Sequence, residues 1–126
     1  MTTTSIDWAA SQLRWHNHIG RWSNWSKVVL RRRGSPDRAC VACVTQFQPK
    51  ERVGAAIDPE DRKARISALA PDLTPLAPEP NNDAGDVLIV FNRDGTEQPP
   101  YRIVQRPGRE EPAPGVVLFW VLQVRR

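Results

Sequence analysis

The chain has 126 residues, with 18 Lys or Arg against 14 Asp or Glu for a net charge of +4, and that length supports one hydrophobic core while excluding two full-sized domains. No apolar run approaches the roughly 18 to 20 residues that span a bilayer, and the N-terminal MTTTSIDWAASQ lacks the basic start and apolar block of a secretion signal, so a soluble, intracellular product without a membrane partner is expected. The arginines are scattered, which permits an acidic partner without specifying one.

Val dominates the apolar residues, and 12 prolines with 7 glycines favour short strands joined by turns over long helices. In chain order, Thr4 and Asp7 form a T-x-x-D start signal that predicts a helix from about residue 5 to Ile19, with Gly20 ending or bending it. Trp8, Trp15 and Trp22 share one spacing, so a helix continuing through Gly20 stacks them on a single stripe, which Trp25 extends. Val28 to Arg33 reads as the first strand, Gly34 to Asp37 as a turn and Arg38 to Phe47 as the second strand. A loop from Gln48 to Pro59 precedes a strand from about Arg62 to Ala68, and the proline-rich, acidic stretch 70–86 is an expected surface loop. Val87 to Phe91 and Tyr101 to Gln105 flank a turn at Asp94-Gly95, and Gly115 introduces VVLFWVLQVRR, the longest strand. The expected fold is mainly β: a small antiparallel barrel or sandwich of five or six strands, with an N-terminal helix and long loops. Residues 1–27 form a Trp-rich helical arm and residues 28–126 the β domain.

Chemistry is sparse. Cys40-Val-Ala-Cys43 has the spacing of redox and zinc sites, but four ligands are needed and no second pair exists. His16 and His18 lie on opposite faces of a helix, and a strand sends Cys40 and Cys43 to opposite sides, so inert thiols are expected. Asp58, Glu60 and Asp61 are a carboxylate cluster beside Arg62, Lys63 and Arg65, which reads as a solvated, charge-compensated turn. No phosphate loop, nucleophile elbow or zinc-protease motif occurs, so the chain is expected to be no enzyme and to need no cofactor or metal. Arg31, Arg32, Arg33, Lys50 and Arg52 are candidate phosphate contacts. Trp8, Trp15, Trp22 and Trp25 offer the large, rigid contact area enriched at interfaces.

With its elements in order, the sequence VVLRRRG, an alternating strand, KERVGAAIDPEDRKARISALAP, a proline-rich loop, GDVLIVF, YRIVQ, a Pro/Gly turn and VVLFWVLQVRR resembles the neck proteins of tailed bacteriophages. These are the head-closure or head-completion proteins, also called stoppers, and the resemblance spans residues 28–126. It implies a structural virion protein made in the bacterial cytoplasm and placed in the head-to-tail neck. Copies would form a ring of six- or twelve-fold symmetry between the portal or adaptor and the tail, closing the channel and meeting packaged DNA non-specifically. The loop at 48–59 or at 70–86 would then reach the channel or a neighbour. The Trp-rich start has no counterpart in that pattern and would contact a neighbouring subunit or ring. The alternative is an OB-like barrel that binds single-stranded nucleic acid through Arg31 to Arg33, Tyr101 and Trp120.

Overall fold

Helix formation begins where a side chain can satisfy the first open N–H groups. The Asp7 carboxylate accepts from Ala10 N at 3.0 Å, and α1 runs Trp8–Trp22. The computed structural model describes residues 7–52, 57–69 and 80–126, so the expected cap at Thr4 lies outside the described residues. Gly20 does not end the helix. The chain reverses after it instead, where Asn24 and Trp25 adopt φ values of 54 and 53 and Trp25 N donates to Gly20 O at 2.7 Å.

The strands are β1 (Val28–Arg31), β2 (Arg38–Cys40), β3 (Ala42–Gln46), β4 (Arg62–Ser67), β5 (Val87–Val90), β6 (Tyr101–Ile103), β7 (Gly108–Glu110) and β8 (Phe119–Arg125), with a four-residue helix α2 (Pro49–Arg52) between β3 and β4. One antiparallel sheet joins them in the order β2-β1-β5-β6-β8-β4-β3, and β7 also pairs with β8. The fold is therefore mainly β with an N-terminal helix, as the composition implies. Among the described residues the strands number eight rather than five or six. One extra strand arises because Val41 splits the expected strand over residues 38–47, and another because Gly108–Glu110, expected as turn, pairs with β8. The sheet does not close into a barrel: β2 and β3 end the ladder, although only Val41 separates them along the chain. The Asp94-Gly95 turn forms as expected, with Gly95 in the left-handed region at φ 89.

Alternation along β8 builds two apolar layers. Trp120, Leu122 and Val124 face the main core with Val28, Leu30, Ile66 and Leu88. Phe119 and Val121 face the other way and pack with Trp15, Ile19 and Cys43, which seats α1 on the sheet. Full burial of an aliphatic side chain of this size stabilises by about 1.5–3 kcal/mol, so Ile19, completely buried, anchors the helix. Polar contacts fix its rotation: Gln12 Nε2 donates to Val117 O at 2.9 Å, and His16 Nδ1 lies 2.7 Å from Ser67 Oγ.

Two buried carboxylates fasten the loops. Asp61 was expected in a solvated turn compensated by its neighbours, yet its side chain is fully buried and its ion-pair partner is Arg125 of β8. Arg125 Nε and Nη2 donate to it at 2.6 and 3.0 Å, and Gln123 Nε2 donates at 2.6 Å. The turn brings Asp61 to β8 because Arg62 pairs with Val124. Asp86, also fully buried, accepts from Arg32 at 2.7 Å and from Arg38 at 3.0 Å, as well as from Asn81 N.

Candidate functional site

The arginine run reads very differently once its partners are known. Arg31 forms paired hydrogen bonds with Asp37 and with Glu97, and those two carboxylates raise its pKa further. Arg32 is spent on Asp86. Burial pushes the Asp86 carboxyl up, but hydrogen bonds from Arg32 and Asn81 N outweigh that and hold it below the usual carboxylate range. Of the five candidate phosphate contacts, Arg33 and Lys50 are exposed and form no salt bridge among the described residues. The Arg52 side chain lies outside the described residues. Sequence alone could not reveal this, because Asp37, Asp86 and Glu97 come from three separate turns.

The residues of the nucleic-acid alternative are likewise separated. Trp120 is buried in the main core and offers no face to a base. Tyr101 is half-buried, with the Arg126 guanidinium 4.3 Å from its ring centroid.

Both cysteines are buried thiols outside any disulfide. They face opposite sides of the sheet, as strand alternation predicts, with Cys40 in the main core and Cys43 under α1. Burial pushes the Cys43 thiol up, against a smaller opposing influence of Arg65. Among the described residues no three His, Cys, Asp or Glu side chains gather where they could hold a metal ion. No helix among them is long and apolar enough to cross a membrane.

The tryptophans divide by helical position. Trp15 faces the sheet, its ring centroid 4.8 Å from that of Phe119. Trp8 is half-buried. Trp22 and Trp25 are more than half exposed, at 57% and 54%, and flank the stripe by which α1 docks. On one side, Trp22 packs against Trp15 at 6.4 Å and His18 at 5.8 Å, with the Arg65 guanidinium 5.8 Å from its ring. On the other, Trp25 lies against Gly20 and 5.8 Å from His16. An exposed indole held by three neighbours is a preordered contact that loses little freedom when a partner covers it. Trp22 also borders two hollows, one of about 220 Å³ toward Val28, Val44 and Tyr101 and one of about 400 Å³ toward Gln46, Lys63 and Arg65. Of the expected stripe of Trp8, Trp15 and Trp22 extended by Trp25, the contact of Trp15 with Trp22 forms because the helix runs on through Gly20, whereas Trp25 folds back over Gly20 on the other side instead of extending it. Sequence reasoning gave no sign of the hollow beside β3, which depends on where β1 starts.

The chain matches no family model, curated protein or solved structure among known proteins.

Proposed function

We propose that this chain is a structural component of the head-to-tail neck of a tailed bacteriophage, acting by assembly into a ring and not by catalysis. The observation that carries the assembly reading is Trp22: a large apolar ring, mostly exposed, yet fixed by Trp15, His18 and Arg65. Such residues are enriched at the centres of protein interfaces. The antiparallel sheet supports the reading as a stiff scaffold that displays contacts on its loops and helix. The place in the virion is proposed from the resemblance of strand order and phrasing in residues 28–126 to stopper proteins. Among the described side chains of the cationic set, Arg33 and Lys50 are the exposed ones and the ones proposed to meet DNA phosphates.

The test is electron cryomicroscopy of the phage particles whose genome encodes this chain. A ring of copies between capsid and tail is the expected result. Purified, intact particles without the chain would overturn the reading.

A further inference from the structure

The gap beside β3 has the makings of a missing strand. Ser67 N donates to Val41 O, and the register carries that hydrogen-bonded pairing on to Cys43 with Arg65 and Thr45 with Lys63. In an antiparallel ladder the intervening residues turn their N–H and C=O groups to the opposite side. Ala42, Val44 and Gln46 therefore present theirs away from β4.

On that side β1 stops short. Its pairing begins at Val28 opposite Cys40, and it does not extend back past Val28 because the left-handed residues Asn24 and Trp25 turn the chain into α1. The space a longer β1 would fill is the hollow of about 220 Å³, whose walls include Trp22, Ser26, Val28, Val44, Val90 and Tyr101. Among the described residues no backbone group pairs with Val44 or Gln46 on that side, and open donors and acceptors beside apolar walls form an edge that invites another strand.

The charges around it select the strand. Arg65 lies over Trp22, Arg126 over Tyr101, and Lys27 over Phe91 beside the wall residues Ser26 and Val28. None of these three cations forms a salt bridge among the described residues. The nearby carboxylate of Glu51 is already paired with Lys63 at 2.7 Å.

We propose that this seam binds an extended acidic segment of a partner protein, which joins β3 as an added strand. Its backbone hydrogen-bonds to Val44 and Gln46, its apolar side chains lie against Trp22 and Tyr101, and its carboxylates meet Arg65, Arg126 and Lys27. The proposal deepens the assembly reading by naming the contact and its chemistry, and it rests on the neck reading only for the partner's identity.

The probe is a fluorescein-labelled heptapeptide of sequence Glu-Val-Thr-Val-Asp-Val-Glu, titrated by fluorescence anisotropy into the full chain at low salt. Binding is expected, with three sensitivities. N-methylation of the alternate amides along one peptide edge weakens binding at least about tenfold, the equivalent of one or two hydrogen bonds, whereas methylation along the other edge does not. Trp22→Ala weakens it by a similar factor, and Lys in place of the acidic residues abolishes it. Val44→Pro, which removes an outward N–H without touching the bonds to β4, adds a check from the protein side.

No binding, or binding equally tolerant of both methylation patterns, overturns the proposal. Concentration-dependent self-association that competes with the peptide and is lost in Trp22→Ala would overturn the assignment to a different protein and make the occupant a second copy. Peptide binding by a chain absent from phage necks would sink the neck reading alone, and a neck ring whose chain ignores the peptide would sink the seam alone.

Discussion

A β-carbon added to Gly20 would lie 2.4 Å from Cη2 of Trp25. The indole occupies the space that any other residue at position 20 would claim, so a larger residue there must push it aside. Ala is ordinarily the better helix former by about 1 kcal/mol. Here Gly20→Ala is expected to destabilise the fold by about 1–3 kcal/mol, the usual cost of overpacking. Thermal unfolding should show a lower Tm, accompanied by a shift in tryptophan emission as Trp25 is displaced.

His16 links acidity to stability. Burial lowers its pKa below 6.5, so the unfolded chain binds more protons than the folded one between those two values. The stability contributed by neutral His16 is complete above the unfolded pKa and is lost as pH falls through it toward the folded value. Urea midpoints should therefore fall between pH 7 and pH 5 in the native protein and fall less in His16→Gln. Equal slopes in the two proteins would contradict this.

Ser67 is the other half of that contact. Its hydroxyl also accepts from Leu69 N at 3.1 Å, and Ser67 is fully buried. Ser67→Ala strands both groups and is expected to cost about 1–3 kcal/mol by chemical denaturation. Its pH dependence between 5 and 7 should be altered in the same experiment.

Asp61 governs the acid limb. Hydrogen bonds from Arg125, Gln123 and Asp58 N hold its pKa at about 2 against burial, which pushes it up. The folded pKa lies below the unfolded value of 3.8, so this contribution is present above pH 4 and disappears as pH falls toward 2. Asp61→Asn should cost about 2 kcal/mol at pH 7 by urea unfolding, below the ~3–5 kcal/mol of a fully buried pair because Arg125 keeps contact with water. Its stability should also change less than the native protein's between pH 4 and 2.

Neither thiol should react with a disulfide reagent until the chain unfolds. Both are buried, and thiolate formation at Cys43 is disfavoured. Rapid native-state labelling of either would show that the sheet opens locally near Val41.

How far the sequence was legible follows from which interactions are local. The contact of Trp15 with Trp22, the Asp94-Gly95 turn and the strand beginning at Arg62 each arise from spacing or turn chemistry within a few residues and are where that spacing put them, whereas Trp25 leaves the stripe it was expected to extend. What escaped reading is long-range. Asp61 finds Arg125 across the sheet and Arg31 finds Glu97. The β7 strand escaped for a related reason: Gly108 to Glu110 has no alternating pattern, is exposed throughout, and exists because β8 offers it a partner. The candidate seam is further still from the sequence, since it is created by the absence of pairing where β1 begins.

The placement of β8 bears on how the protein is made. Its seven residues pair with β4, β6 and β7, and the register joins Arg62 to Val124. A chain emerging from the ribosome can form the β1–β2 and β3–β4 hairpins early, but β4 has no second neighbour until synthesis has passed residue 125. Until then the faces of Ile66 and Leu88 that β8 and its neighbours cover stay open to water. Sheets dominated by such distant pairings fold slowly and expose their edges meanwhile. Nascent chains stalled before β8 should thus be the species that chaperones hold, and β8 is the strand that commits the sheet.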